Sequence, residues 1–244
     1  MSSPIVPYIA NILFSTRLLK LKRLLAERKR KRQNQPHLIT VYLTINDPYS
    51  YLLLQILADL QKRFAIEYDF RTVLNRQSQM YPAPSLWDKN AHNDGGYLAK
   101  LYNLDFPATK NAASPQFDAQ LTAQLLHWEL QPGFLDNALS LFAAYWQGDN
   151  VKIKNLVDEK VTGHGECYDH HLSANEAKLK DSGHYLSAML HYGGEWYWGL
   201  DRLQYLESRL NGLDLNRESK AVKFNLGHKD FCKQMSSADR SLAT

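Results

Sequence analysis

The sequence predicts a mixed α/β fold in which a β-α-β half and a β-β-α half are separated by a helical insertion. Residues 38–74 carry strand, helix and strand patterns in succession. Residues 185–210 carry two short strand patterns about a Gly-Gly pair and then apolar residues at helical spacing. With 244 residues and 44% hydrophobic content, the chain is long enough to bury a full core.

The first 36 residues form a basic arm, which precedes the domain at residues 37–210. From Arg17 to Arg32 there are nine basic residues and one acidic residue, a charge of +8, whereas the rest of the chain sums to −4. Isoleucine and leucine residues between Ile5 and Leu25 interleave with these cations. The pattern predicts an amphipathic helix that ends before the solvated run at residues 28–32.

Three partners fit this arm. It can pack on the domain or on a second subunit, lie on an anionic membrane surface through residues 17–32, or bind nucleic acid. Nucleic acid has the weakest support because no aromatic residues interleave with the cations and no known binding motif is present. The apolar stretch is too short to span a bilayer, and its charge follows it instead of preceding it as in a secretory signal. We therefore expect a cytoplasmic protein, with attachment to a membrane surface as the alternative.

A sharp turn, Asn46-Asp47-Pro48, joins the first strand to the first helix. Asp47 is suited to cap the helix because its carboxylate accepts from unpaired amide groups, and Pro48 is suited to the first helical position. The turn leaves the partial positive charge of the helix N-terminus at the end of a strand, where α/β proteins often hold anions or thiolates. Two roles for Asp47 remain open: a helix cap alone, or a catalytic carboxylate acting as a base on a bound thiol or acidic proton.

The middle of the chain, at about residues 85–180, is predicted to be a helical insertion. Residues 75–106 are polar and rich in turn residues and are too irregular to assign, whereas residues 114–179 are mainly helical.

The last elements are a hairpin about Gly193-Gly194 and a helix at residues 201–210. Trp196 and Trp198 lie two apart on one strand and so share a face, which we expect to pack under the last helix. Asp201 lies near the N-terminus of that helix and is expected to cap it. Residues 211–244 carry few apolar side chains and are expected to form a loosely attached, partly disordered tail.

Cys167 and Cys232 are the only cysteines, and they lie 65 positions apart. Without a Cys-x-x-Cys pair, dithiol oxidoreductase activity is not expected, and two thiols suit a reducing compartment. The insertion contains one cluster of residue types that suit zinc. The cluster lacks a matching second pair of ligands, so we prefer to interpret it as a polar surface loop. Its members are His164, Cys167, Asp169, His170 and His171.

Three blocks, 47–51 (DPYSY), 144–146 (AYW) and 194–203 (GEWYWGLDRL), occur in the order and spacing of one known family. The first resembles the Ser-Pro-Tyr-Ser-Tyr/Trp turn of 2-hydroxychromene-2-carboxylate isomerases and kappa-class glutathione transferases. The third is similar to their Gly-Glu-x-Phe-Trp-Gly-x-Asp-Arg-Leu segment. These enzymes are the glutathione-using branch of the DsbA-like thioredoxin fold. The resemblance covers about residues 38–210.

The resemblance implies a homodimeric glutathione-dependent isomerase or transferase that acts on an apolar or aromatic small molecule, with glutathione as cosubstrate. In such a site Tyr49 or Ser50 supplies a hydroxyl donor and Asp201 holds the γ-glutamyl amine. Leu200 stands where the family has a small polar residue. The backbone that borders glutathione corresponds here to Ala188 and Met189.

Two departures fall on functional positions of the family. Asp47 replaces the serine that contacts the thiol, and an ionised carboxylate repels a thiolate. Ala188 stands where the fold usually carries a cis-proline, and we expect a trans peptide there because a cis bond before a non-proline residue costs about 2.5 to 4 kcal/mol. A second hypothesis follows: a catalytically degenerate module that has lost the thiol chemistry and binds a partner or a membrane.

Overall fold

A computed structural model of the chain describes residues 15–74, 84–107, 117–129, 131–158, 161 and 166–217. The expectations for residues 1–14, for His164, for Cys232 and for residues 218–244 lie outside these residues. The helices and strands in chain order are α1 (Thr16–Arg32), β1 (Leu38–Leu43), α2 (Pro48–Arg63), β2 (Glu67–Thr72), α3 (Pro84–Tyr102), α4 (Asp118–Glu129), α5 (Phe134–Gln147), α6 (Asn150–Leu156), α7 (Glu166–Asp181), β3 (Met189–Tyr192), β4 (Glu195–Trp198) and α8 (Leu203–Asn211).

The sheet has four strands in the order β2-β1-β3-β4. β1 and β2 are parallel, with Leu38 opposite Glu67 and Leu43 opposite Thr72, and α2 forms the crossover between them. β3 is antiparallel to both β1 and β4. This β-α-β plus β-β-α arrangement, with α3 to α7 inserted between the halves, confirms the predicted thioredoxin-like fold.

The core lies between the sheet and α2. Leu52, Leu53 and Leu57 are fully buried, and they pack with buried side chains of β1 such as Val41 and Leu43. α2 is buried on most of its surface because α3 and α5 of the insertion cover the side that faces away from the sheet. The first turn of α2 therefore lies beside α3.

The stretch at residues 75–106, which the sequence left unassigned, contains the 19-residue helix α3. Gly95 on this helix is buried, and a Cβ placed on it would lie 3.1 Å from the Pro48 Cβ atom. Glycine lowers helix propensity, so the Gly95-Gly96 pair reads as a loop in the sequence. In the structure, the missing side chain lets α3 pack directly on the first turn of α2.

The side of β4 that packs under α8 is the opposite of the one predicted. Tyr197 is 3% exposed and packs in the core beside α8, whereas Trp198 is 44% exposed. Trp196 packs on the other side of the sheet against Tyr42, with 5.6 Å between ring centroids. Tyr197 can occupy the core because its hydroxyl donates to Glu195, so its polar tip is hydrogen-bonded there.

The arm helix α1 continues through Arg32 and does not end before residue 28 as predicted. Two interactions favour the longer helix. The cations of its last turn interact favourably with the helix dipole, and Glu27 forms ion pairs with Arg30 and Lys31. α1 contacts the domain through Arg23, whose guanidinium binds both carboxylate oxygens of Glu195 at 2.8 and 2.7 Å. Glu195 also pairs with Arg209 of α8 at 2.9 Å.

The described start of the predicted tail is bonded to the domain. Ala65 N donates to Leu215 O at 2.8 Å, and Arg217 N donates to Arg63 O at 2.9 Å. Up to residue 217, the chain after α8 is therefore attached to the end of α2 and is not loose.

Candidate functional site

Asp47 caps α2, as the sequence predicts, and Pro48 is the first residue of the helix. Asp47 is buried, with 7% of the residue exposed. Its Oδ1 atom accepts from Tyr49 N at 3.2 Å, while Oδ2 accepts from the hydroxyls of Ser50 at 2.8 Å and Ser187 at 2.7 Å. Both oxygens of the carboxylate therefore have donors within the protein.

Ser187 brings the second half of the fold to this turn. It lies just before β3, 140 positions from Asp47 in the sequence. Ser50 adds a third connection, because its Oγ atom accepts from Thr44 N at 3.2 Å while donating to Asp47. We call Asp47, Ser50 and Ser187 the carboxylate cluster.

Ala188, where the family resemblance implies a proline, follows a trans peptide, since the described residues contain no cis bond. This confirms the expectation. Ala188 is fully buried and has a φ of +54°, in the left-handed region that non-glycine residues seldom adopt. Its carbonyl accepts from Gly199 N at 2.8 Å, which ties the start of β3 to the turn after β4.

Tyr49 faces a second carboxylate. Its hydroxyl donates to Asp94 Oδ2 of α3 at 2.7 Å. Burial, the hydrogen bond to Asp94 and the charges of Asp94, Asp47 and Asp201 all raise the pKa of Tyr49 above its ordinary value. Tyr49 is therefore protonated at neutral pH and remains a hydrogen-bond donor.

Asp201 is exposed in the turn between β4 and α8. It does not cap α8, contrary to the prediction, because the N-cap residue is Arg202 and no side-chain cap bond forms. Its carboxylate acts on the same region as Asp94, since it raises the pKa values of both Tyr49 and Tyr102. Asp47, Asp94 and Asp201 thus make the surroundings of Tyr49 acidic.

The other predicted glutathione contacts are buried. Leu200 and Met189 have side chains in the hydrophobic core, as does Ala188. Their side chains are therefore packed against protein and not open to solvent. The structure brings together Asp47, Tyr49, Ser50 and Asp201 of the predicted set.

An aromatic cluster lies behind the turn. Phe106 packs against His92 of α3 and Trp146 of α5, with ring centroids 5.1 and 5.3 Å away, and against Tyr51 of α2 at 6.2 Å. Phe106 is half-buried, whereas Trp146 is buried. Trp146 of the AYW block is thus part of the buried packing around Phe106.

The sequence reasoning missed Ser187 and Asp94 as site residues. For Ser187 a signal existed, because it precedes the position expected to carry the fold's proline. For Asp94 none existed, because the helix that carries it reads as irregular sequence.

A second buried carboxylate, that of Glu129 at the end of α4, connects the insertion to β2. It accepts from Thr72 N of β2, from the Asn175 side chain at 3.0 Å and from His171 Nε2 at 3.0 Å. Burial raises the pKa of Glu129, while the donors of Thr72 and Asn175 act in the opposite direction. His171, a member of the cluster considered for zinc, is thus bonded to Glu129, and among the described residues no group of three His, Cys, Asp or Glu side chains could hold a metal ion.

The chain is similar in structure to a known protein. A solved structure of selenomethionine 2-hydroxychromene-2-carboxylate isomerase aligns with a TM-score of 0.47 and 20% sequence identity, covering 72% of this chain and 95% of that chain. The sequence matches no protein-family model and no curated protein. None of the described helices has the length and apolar character needed to cross a membrane.

Proposed function

We propose that this protein is a glutathione-dependent isomerase or transferase that acts on an apolar or aromatic small molecule at the N-terminal end of α2. The observation that carries the proposal is the carboxylate cluster, in which Asp47 and two serine hydroxyls meet at the positive end of α2. A carboxylate and hydroxyls in hydrogen-bond contact can move a proton. The resemblance at residues 47–51 and 194–203 supports the same location.

The chemistry at the helix end differs from thiolate catalysis. A thiolate beside the Asp47 carboxylate would be repelled, whereas a neutral thiol would donate its proton to that carboxylate. Glutathione therefore binds as a thiol. Asp47 accepts the thiol proton as the sulfur forms a bond to an electrophilic carbon of the substrate, and the electron pair passes to a substrate double bond or departs with a leaving group such as chloride. Tyr49 is protonated, and it becomes a donor to the substrate when its hydroxyl leaves Asp94.

The acidic surroundings of Tyr49 set the orientation of the cosubstrate. Glutathione carries one ammonium group, at its γ-glutamyl end, and exposed Asp201 suits that cation. Half-buried Phe106, which lies beside Gly95 near the first turn of α2, suits a substrate with a ring or an alkyl body.

The second candidate is a binding module without catalysis. It is favoured by the burial of Asp47 and by the three protein donors that already occupy its oxygens. In that case Asp47 only caps α2 and ties it to the segment before β3.

Calorimetric titration with glutathione tests the proposal. We expect a dissociation constant between micromolar and low millimolar, about −8 to −4 kcal/mol, with at least a tenfold loss in Asp201→Asn. Asp181→Asn, which removes an exposed carboxylate at the end of α7, is the matched control and should bind normally. Consumption of the glutathione thiol with an electrophilic chloronitrobenzene would support the enzyme, whereas binding without consumption would support the second candidate. If the wild-type protein fails to bind at several millimolar, glutathione is not its ligand.

A further inference from the structure

The helix α1 exposes a leucine-rich face. None of its residues is buried, and Leu21, Leu24 and Leu25 are 50%, 47% and 53% exposed. Leucine on a surface helix normally faces the protein, so three exposed leucines within five residues form an apolar patch that the described domain leaves uncovered.

Helical spacing separates two faces of α1. Arg23, Glu27 and Arg30 follow one another at four and three positions, and these half-buried residues form the side toward the domain, where Arg23 binds Glu195. On the outward side, Leu21, Leu25, Arg28 and Arg32 follow at four, three and four positions, and all are exposed. We call this outward side the Leu/Arg face.

The charged residues of the Leu/Arg face are all positive. The single acid between residues 17 and 32 is Glu27, and it belongs to the inner side, where it pairs with Arg30. The sequence that precedes α1 adds apolar character, because residues 1–14 contain no Lys, Arg, Asp or Glu. An apolar sequence followed by a helix with leucine and arginine on one face has the composition of a membrane-surface anchor.

We propose that α1 docks the protein on an anionic lipid surface, lying in the interface plane with its Leu/Arg face toward the membrane. The leucines enter the boundary between headgroups and acyl chains, and Arg28 and Arg32 contact lipid phosphates. The Arg23–Glu195 pair presents this face outward by holding the opposite side against β4.

Lipid fits this face better than nucleic acid. A nucleic-acid backbone offers phosphates to the cations but no apolar surface that would bury three leucines. Proteins that bind single strands also stack bases on aromatic side chains, and residues 16–32 contain none.

Co-sedimentation of the full chain with vesicles tests the proposal. We expect binding to vesicles that contain phosphatidylglycerol, weaker binding at high salt, and little binding to pure phosphatidylcholine. Arg28→Gln/Arg32→Gln should lower the partition coefficient at least tenfold. Leu21→Gln/Leu25→Gln should lower it similarly while leaving the charge unchanged. The matched control, Lys152→Gln/Lys154→Gln, removes two exposed cations from α6 and should bind like the wild type.

Results of three kinds would overturn the proposal. The first is equal binding to anionic and neutral vesicles, or binding that neither α1 variant changes. The second is tight binding to RNA that depends on the arginines but not on the leucines. The third is a dimer that the leucine variant dissociates without any change in vesicle binding, which would make the patch a subunit contact. Because every substituted side chain is exposed, circular dichroism should show that all three variants fold.

Discussion

At the scale of single residues, the candidate site is defined by positions 47 and 188, which Ser187 links. Asp47 holds the Ser187 hydroxyl, and the next residue, Ala188, turns with a φ of +54° and directs its carbonyl to Gly199. Proline cannot adopt this conformation because its ring fixes φ near −65°. A carboxylate at position 47 and a non-proline residue at position 188 therefore belong to one local geometry.

The Asp47→Ser variant tests the chemistry of this geometry. We expect that the wild-type protein does not lower the thiol pKa of bound glutathione, because the Asp47 carboxylate disfavours a thiolate. Serine should permit the helix N-terminus to stabilise the thiolate, lowering the pKa of bound glutathione by about one unit or more. Thiolate ultraviolet absorbance, followed against pH with saturating ligand, measures this. A lowered thiol pKa in the wild-type complex would contradict the proposed role of Asp47 as a base.

At the scale of elements, Glu129 connects three parts of the chain. From α4 it accepts from the backbone of β2 and from Asn175 and His171 of α7. Asn175 is fully buried and also accepts from Arg71 at 3.1 Å. The insertion is thus attached to the sheet edge through one buried carboxylate, although no pattern in the sequence marks Glu129.

Glu129→Ala should destabilise the protein by about 3 kcal/mol, because it leaves the buried Thr72 amide without an acceptor and leaves Asn175 only the Thr72 carbonyl of its two acceptors. Urea unfolding followed by tryptophan fluorescence measures the free energy. Asp181→Ala, at the exposed end of α7, should change it by less than about 0.5 kcal/mol. A loss as small as that of the control would show that Glu129 does not tie these elements together.

The sequence was sufficient for elements whose pattern arises from local spacing. β1, α2, the Gly193-Gly194 hairpin and the Asp47 cap follow from periodicity and cap chemistry. The sequence was insufficient where contacts between elements far apart in the chain determine the structure. α3 was missed because Gly95 serves a contact with Pro48, and the face of β4 was reversed because both sides of that strand meet protein. For the same reason the partners Ser187 and Asp94, which come from other elements, were not predicted as site residues.

At the scale of the whole molecule, three histidines couple folding to pH. Burial lowers the pKa values of His37, His184 and His191 below the ordinary value, and neighbouring cations lower those of His37 and His191 further. His184 and His191 both pack on Trp196, with centroids 4.7 and 4.5 Å from its ring. The folded protein therefore favours neutral imidazoles.

Stability should fall as the pH drops below about 6.5, because the unfolded chain then binds protons at these histidines more readily than the folded chain does. This contribution is present in full above the unfolded pKa and is lost as pH falls towards the lowered folded values. Urea unfolding at about pH 7.5 and pH 5.5 measures the change. His184→Gln/His191→Gln should reduce the difference between the two conditions, which isolates the histidines from the carboxylates. An unchanged difference would assign the pH dependence to other groups.

The sharing of Glu195 between Arg23 and Arg209 determines what happens when the arm moves. If α1 leaves, Glu195 remains neutralised by the buried guanidinium of Arg209, and only Arg23, already partly in water, loses its partner. Detachment is then a local opening that leaves the hairpin folded. In hydrogen exchange, the amides of α1 should be labelled long before those of β4, and an arm bound to a membrane could stay tethered to a fully folded domain.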